Sequence, residues 1–126
     1  MSWSGVSLDS RDAARELLKS NRFRSSVSRS YYSLYSEITG HLVKNKVAFK
    51  NGRANPTHSS LSKLVVNNLG GMNEADKRVI KSVVSRLYNL RVFADYFPGL
   101  TTDKETARRA LGDLHTAIRI LEKRNV

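Results

Sequence analysis

The chain has 126 residues, enough for one hydrophobic core, and its 22 Lys and Arg against 11 Asp and Glu give a formal net charge of +11. It contains no cysteine, which excludes a disulfide framework and a thiolate metal site. No apolar run approaches the roughly 18 residues of a membrane-spanning helix, and the first residues do not resemble a signal peptide. We therefore expect one cytoplasmic domain over residues 1–126, without a membrane partner.

Apolar residues recur at helical spacing and predict five helices. The first runs over about Ser10–Ser20, with Asp9 or Ser10 as its cap. The second is longer and covers about Arg24–Lys44. The third covers about Ser59–Asn68 and ends at Gly70-Gly71. Turn signals between the second and third helices predict a loop from residue 45 to residue 57.

The fourth predicted helix runs over about Glu74–Phe97, and Pro98-Gly99 ends it. The fifth begins at a capping box, Thr102–Glu105, and continues to about Glu122. The apolar stripe of the fourth helix consists of Val79, Ile80, Val83, Val84, Leu87, Leu90 and Ala94. Because no segment alternates as a strand does, the fold class that we predict is all-α, an up-and-down bundle of four to five helices.

Positive charge is concentrated in one part of the chain. Nine basic residues and one acid, Glu37, lie between Lys19 and Lys63, so this stretch holds +8 of the +11. Such a concentration favours a polyanion partner, because each neutralised phosphate releases counterions. Two alternatives remain open, a basic surface that only aids solubility and a surface that meets an acidic protein.

Arg91 lies on the apolar stripe of the fourth helix, four residues after Leu87 and three before Ala94. A guanidinium in that position needs a partner or a cleft, because an unpaired buried charge is costly. One interpretation makes Arg91 a phosphate-binding or catalytic residue, which Asp95 orients. The other makes it a structural ion pair with Asp95. Tyr96 either donates a hydrogen bond to phosphate or closes the helix end onto the bundle.

The tyrosines of the second helix divide by position. Tyr31 and Tyr35 lie on the apolar stripe, so we expect them in the core with a partner for each hydroxyl. Tyr32 faces another direction and is the candidate for a surface role. Arg29 either pairs with Asp95 or reaches phosphate.

The three histidines do not form a metal-binding pattern. His58 follows a turn near a helix start, where it either caps the helix through a local hydrogen bond or contributes to binding. His41 and His115 are single helical histidines. We expect neither a metal nor a cofactor.

Three motifs give the chain a resemblance to a known family. Arg29-Ser30-Tyr31-Tyr32 resembles the "RxYYAxF" helix of the HEPN superfamily, and His58-Ser59 resembles its "KxxHS" element. The stretch from Leu87 to Tyr96 is similar to its "LYxLRxxADY" element. The motifs follow in the family's order, and the resemblance covers roughly residues 12–121.

The resemblance implies a homodimer of helical bundles, with a cleft at the interface where an Arg-x4-6-His motif from each subunit meets. It also implies metal-independent ribonuclease activity in toxin–antitoxin or defence systems, with a small nucleotidyltransferase as a common partner. In some relatives that partner modifies a tyrosine near the motif. Here Arg91 matches the arginine and the spacing matches, but Tyr96 stands at the histidine position.

The sequence thus predicts an RNA-binding toxin or effector, with metal-independent endoribonuclease activity as a further hypothesis. The alternative is a non-catalytic module that binds RNA or nucleotide, or docks a nucleotidyltransferase antitoxin. The candidate catalytic residues are Arg91, Asp95 and Tyr96. The candidate nucleic-acid-binding residues are Arg29, Tyr32, Lys44, Lys46, Lys50, Arg53 and His58.

Overall fold

A computed structural model describes residues 2–124 of the chain. This part folds into five α-helices and contains no strand, so the prediction of an all-α bundle is confirmed. None of these helices is long and apolar enough to cross a membrane. The helices are α1 (Trp3–Lys19), α2 (Phe23–Lys44), α3 (Leu61–Asn68), α4 (Glu74–Tyr96) and α5 (Lys104–Lys123), with short 3-10 turns at Lys50–Gly52 and His58–Ser60.

Helix α1 begins at Trp3, so its predicted start near Ser10 is wrong. Ser2 caps the helix, and its side chain accepts a hydrogen bond from the backbone N–H of Gly5 at 3.0 Å. The first turns carry Ser4, Gly5 and Ser7 rather than an apolar stripe, which hid the helix from a periodicity argument. Ser2 lies seven residues before Asp9 and eight before Ser10, the two predicted caps, and marks the observed start of the helix.

Serine side chains join α1 to α2. The hydroxyls of Ser7 and Ser33 donate to each other's backbone carbonyls at 3.0 Å and 2.8 Å. The hydroxyl of Ser26 donates to the carbonyl of Ala14 at 2.8 Å. Small side chains let the two helices approach closely, and these bonds satisfy their buried hydroxyls.

Helix α2 is the centre of the bundle, because it contacts α1, α3, α4 and α5. Its buried apolar side chains join those of the other helices in one hydrophobic cluster. The largest fully buried members of that cluster are Tyr31, Leu34, Ile38, Leu42, Leu61, Leu69, Ile80, Leu87, Leu114 and Leu121. The cluster includes most of the predicted α4 stripe, but Val79 is exposed.

The C-terminal end of α4 is held by an arginine of α2. The guanidinium of Arg24 donates to the carbonyl of Ala94 at 2.8 Å, Phe97 at 3.2 Å and Pro98 at 3.1 Å, and also to that of Leu100. A cation that binds the last carbonyls of a helix satisfies their unpaired acceptors and complements the helix dipole. The contact fixes the segment that carries Arg91 against the start of α2.

Helix α5 begins one residue later than its predicted capping box. Its N-cap is Asp103 rather than Thr102, and the Asp103 carboxylate accepts a hydrogen bond from the backbone N–H of Thr106 at 2.8 Å. This bond to the backbone holds the pKa of Asp103 below its ordinary value. The carboxylate of Asp103 therefore caps α5 in place of the predicted hydroxyl of Thr102.

Candidate functional site

Arg91 is surrounded by one carboxylate and two aromatic rings. Its side chain is 12% exposed, and its Nε lies 2.9 Å from Oδ2 of Asp95. Its Nη2 donates to the hydroxyl of Tyr96 at 3.3 Å. The guanidinium carbon lies 5.2 Å from the ring centroids of both Tyr32 and Tyr96. These are cation–π distances, so α2 and α4 together define the position of the guanidinium.

The contacts of Arg91 leave most of its donors without an aligned acceptor. The Nε···Oδ2 approach of Asp95 is an ion pair that lacks hydrogen-bond alignment, and Nε has no acceptor elsewhere in residues 2–124. Burial lowers the pKa of Arg91, but Tyr32, Tyr96 and Asp95 outweigh it and raise the pKa above its ordinary value. A guanidinium has five N–H donors. Nε is buried, so the donors of Arg91 that remain for a ligand are those of Nη1 and the second donor of Nη2.

Asp95 accepts a second contact from α2. The hydroxyl of Ser28 donates to Oδ2 at 3.3 Å, the same oxygen that faces Arg91. A carboxylate held in this way limits the orientations of the arginine beside it. Asp95 is thus placed to orient Arg91.

Arg29 stands over the ring of Tyr32, with its guanidinium carbon 5.4 Å from the ring centroid. It forms no ion pair with Asp95 in the described part of the chain, so that alternative for Arg29 is wrong. Arg29 is exposed, and it shares the Tyr32 ring with Arg91. Two positive groups therefore lie around one tyrosine.

His58 lies among four tyrosine rings. Its ring centroid is 5.0 Å from that of Tyr35, 5.5 Å from Tyr31, 5.8 Å from Tyr88 and 6.3 Å from Tyr32. Burial, followed by the positive charges of Arg91 and Arg53, lowers its pKa below the ordinary value. The imidazole is therefore neutral at neutral pH, although the residue is exposed.

Two hydroxyls of α2 hold the segment that carries His58. The hydroxyl of Tyr31 lies 2.5 Å from Nδ1 of His58, and the hydroxyl of Tyr35 donates to the carbonyl of Pro56 at 2.6 Å. Both tyrosines are buried, and burial raises the pKa of each, so both remain protonated. They lie in the core with hydroxyl partners, as expected. The partner of His58 is 27 residues away, rather than local.

The remaining basic candidates lie in different places. Arg53 lowers the pKa of His58 through its positive charge and opposes the rise in the pKa of Tyr35. It is exposed, and its Nη2 donates to Oδ1 of Asn55 at 3.3 Å. Arg53 therefore adds positive charge to the surface around His58.

Lys44 lies at the other end of α2, twelve residues and about 18 Å along the axis from Tyr32. It lines a separate cavity with Trp3, Glu37 and His41. Lys46 and Lys50 are exposed in the segment that follows. In the described residues, no hydrogen bond or ion pair joins any of these lysines to the Arg91 group. The structure thus does not bring Lys44 into the group around Arg91.

Two residues, Tyr88 in this group and Tyr31, which holds its histidine, were not assigned to a site from the sequence. Tyr88 lies one helical turn before Arg91, and its ring contacts those of Tyr31 and His58. Tyr88 and Arg91 are three residues apart and therefore lie on one helix face, so this spacing could have assigned Tyr88 to the site. Tyr31 was assigned to the core, and its link to His58 could not be inferred from spacing. We call Arg91, Asp95, Tyr96, Tyr32, Tyr88 and His58 the Arg91 site.

An exposed apolar surface adjoins this site at the end of α4. It consists of Phe93, Tyr96, Phe97 and Leu100. Tyr96 is 64% exposed, and the rings of Phe93 and Phe97 meet edge to face at 5.5 Å. Large exposed side chains next to each other on a small protein mark a surface able to bind a partner.

A family model described as "HEPN domain" matches residues 2–124. No curated protein matches the chain. In residues 2–124, no cluster of three or more His, Asp or Glu side chains is arranged to hold a metal ion.

Proposed function

The chain belongs to the HEPN domain family, and on that premise we propose that it binds single-stranded RNA through the Arg91 site. The observation that carries the proposal is the guanidinium of Arg91. It is charged and 12% exposed, and a single aligned hydrogen bond, to Tyr96, joins it to the rest of residues 2–124. Asp95 pairs with the charge at Nε, and the donors of Nη1, which have no hydrogen-bond partner in residues 2–124, remain for a ligand. A phosphate group offers the planar pair of acceptors that a guanidinium matches.

Aromatic side chains beside Arg91 supply the second part of the proposal. The rings of Tyr88 and Tyr96 are exposed, on the same helix as Arg91. Unpaired bases stack on exposed tyrosines, and this contact tolerates any base because every base has a π face. A paired duplex hides those faces, so the arrangement favours single strands over duplexes.

Positive charge around the site supplies the third part. Arg29 and Arg53 are exposed near Tyr32 and His58, and the whole chain carries +11. Such a surface steers a polyanion to the site and gains affinity by counterion release. Lys44, Lys46 and Lys50 are exposed and add to this long-range attraction.

The finer form of the proposal assigns the protein to the toxin or effector half of a toxin–antitoxin or defence system. In that form it is a cytoplasmic homodimer whose two Arg91 sites share a cleft, with a nucleotidyltransferase-type antitoxin as its partner. Family membership supports this assignment, and the exposed Tyr96 hydroxyl is accessible to a modifying partner.

Metal-independent cleavage belongs to the same finer form. It requires a base for the 2′-hydroxyl and an acid for the leaving oxygen. Arg91 would stabilise negative charge on phosphorus and Asp95 would orient it. A tyrosine hydroxyl is a poor base near neutral pH, so Tyr96 does not replace the family histidine in this role. Cleavage at the Arg91 site therefore requires another base, and His58 is the histidine of that site.

The alternative function is a non-catalytic module that docks a protein partner. The exposed surface of Phe93, Tyr96, Phe97 and Leu100 favours it. An interface of this kind is largely apolar, so its affinity depends weakly on salt concentration. The affinity for RNA, in contrast, falls steeply as the salt concentration rises.

The test is fluorescence anisotropy of a labelled single-stranded RNA over a range of salt concentrations. We expect Arg91→Ala to weaken binding about 10- to 100-fold and to reduce the slope of log affinity against log salt by about 0.7. Arg108→Ala is the matched control, because Arg108 is an exposed arginine of α5 that pairs with Glu105. Equal losses in both variants would overturn the Arg91 site, and no binding by the native protein would favour the docking module.

A further inference from the structure

The hydrogen bond between Tyr31 and His58 determines which nitrogen of the imidazole carries the proton. Tyr31 is fully buried, and its hydroxyl has His58 Nδ1 as its partner at 2.5 Å. In residues 2–124 no other group hydrogen-bonds to that hydroxyl. Because leaving a buried hydroxyl proton without an acceptor is unfavourable, Tyr31 donates and Nδ1 accepts.

A neutral imidazole has one donor and one acceptor nitrogen. With Nδ1 as the acceptor, the proton lies on Nε2. Nε2 hydrogen-bonds to nothing in the described part of the chain, and His58 is exposed. His58 therefore offers an N–H group to a ligand.

The surroundings of His58 favour the neutral form. The charged groups that act on it are two cations, Arg91 of α4 and Arg53 of the preceding loop. Its other titratable neighbours are tyrosines of α2 and α4, namely Tyr31, Tyr32, Tyr35 and Tyr88. In the described residues no carboxylate pairs with the ring to stabilise a proton on both nitrogens.

We propose that His58, fixed as a neutral Nε2–H donor by Tyr31, binds the RNA backbone beside Arg91 and does not accept the proton of a 2′-hydroxyl. This inference rests on the proposed function, RNA binding at the Arg91 site. Arg91 and His58 are both neighbours of the Tyr32 ring, at 5.2 Å and 6.3 Å from its centroid, so one strand that passes this ring meets both donors. The site then binds RNA, and His58 does not act as a base in its cleavage.

The first test is the nitrogen chemical shifts of the three histidines in the 15N-labelled full chain at neutral pH. The other two are internal references, because arginine never accepts a hydrogen bond. Arg124 donates to Nδ1 of His41 at 3.1 Å, so His41 carries its proton on Nε2. Arg15 donates to Nε2 of His115 at 3.0 Å, so His115 carries its proton on Nδ1.

We expect His58 to give the pattern of His41, and we expect Tyr31→Phe to remove that preference while the two references stay unchanged. A His58 pattern like that of His115, or a doubly protonated ring, would overturn the inference. This readout uses the free protein, so it stands apart from the outcome of any RNA experiment.

The second test separates a neutral donor from a cation in RNA binding. We expect His58→Asn to weaken binding of the labelled RNA about tenfold at pH 7.5 without changing the salt slope, because no charge is lost. His115→Asn, on the α1–α5 side of the bundle, is the matched control and should bind as the native protein does. A reduced slope in His58→Asn, or unchanged affinity, would contradict the donor role.

Incubation of the same RNA with the proteins in EDTA completes the test. We expect that no cleavage product formed by the native protein disappears in the His58→Asn variant. Products ending in a 2′,3′-cyclic phosphate that disappear in His58→Asn, while binding persists, would make His58 the base and overturn the inference. Failure of the native protein to bind RNA would instead overturn the proposed function, and the nitrogen shifts would still report the proton position.

Discussion

The hydroxyl of Tyr35 on α2 donates to the carbonyl of Pro56 at 2.6 Å, two residues before His58. The bond is buried and bridges 21 residues of chain, so it fixes the end of a long loop against the central helix. Together with the Tyr31–His58 contact, it makes α2 the element that positions the histidine of the site.

Removing the Tyr35 hydroxyl should therefore destabilise the protein. We expect Tyr35→Phe to lower the free energy of unfolding by about 1–3 kcal/mol, because the carbonyl of Pro56 loses its buried donor. Urea denaturation measures the change. Tyr88→Phe is the matched control, because its hydroxyl makes no hydrogen bond in residues 2–124 and the residue is partly exposed. An equal loss in both variants would mean that the bond to Pro56 contributes nothing.

Arg24 should stabilise the C-terminal end of α4. We expect Arg24→Ala to lower the free energy of unfolding by about 1–3 kcal/mol, since several carbonyls at the helix end lose a charged donor. Amide hydrogen exchange should quicken at Phe97 and Leu100, which lie in the anchored segment. Arg22→Ala, an exposed arginine two residues earlier, should leave both measurements unchanged. Undisturbed exchange in Arg24→Ala would contradict the anchoring role.

Two helical glycines should respond in opposite directions to alanine. A Cβ at Gly40 of α2 would lie 3.2 Å from Cβ of Trp3, whereas a Cβ at Gly112 of α5 meets nothing within 4 Å. We expect Gly112→Ala to stabilise the protein by about 0.5–1 kcal/mol, because alanine favours the helix. Gly40→Ala should be destabilising, because the start of α1 must shift. Thermal unfolding of the pair measures this, and a gain in both would show that Trp3 moves freely.

Glu37 should make stability depend on pH. Its side chain is 16% exposed, and Oε2 lies 3.0 Å from Nε2 of His41. Burial raises the pKa of Glu37, but the hydrogen bond from His41 and the positive charge of Arg11 outweigh it and lower the pKa below 4.5. A carboxyl with a lowered pKa in the folded state contributes stability above pH 4.5, and the contribution is lost as pH falls through the lowered pKa.

We therefore expect Glu37→Gln to cost about 1–3 kcal/mol at pH 7, with the difference from the native protein closing below pH 4.5. Urea denaturation at several pH values measures it. Glu16→Gln is the control, because Glu16 is 74% exposed and its pair with Lys19 should change stability by less than about 1 kcal/mol. A cost that stays constant down to pH 3 would mean that the charge of Glu37 is not the cause.

Helical periodicity was sufficient to predict most of the fold. Helix α2 was predicted over Arg24–Lys44 and runs over Phe23–Lys44, because its apolar stripe is strong and its end coincides with the predicted turn. Helix α4 was predicted to within one residue at its end. The start of α1 was not predicted, because its buried face carries Ser7 and Ser10, whose packing against α2 is set by tertiary contacts.

The site was predicted in part, and the division has a physical reason. Arg91 stood out because a charge on an apolar stripe breaks a local pattern, and its neighbour Asp95 lies one turn away on the same helix. His58 belongs to the site because a loop folds back onto Tyr31 and Tyr35, over more than 20 residues of sequence. No spacing rule encodes that contact. Lys44 could have been excluded from the sequence, because it shares the predicted second helix with Tyr32 and twelve residues place it about 18 Å away along the axis.

The central claim is that RNA binds at the Arg91 site, and an NMR titration of the labelled protein with single-stranded RNA tests it most directly. The account predicts the largest shifts at the Arg91 side chain and at the rings of Tyr88 and Tyr96. Signals of Arg15 and His115, which lie together between α1 and α5, should change little. Shifts confined to Arg15 and His115, with Arg91 unchanged at saturating RNA, would contradict the account.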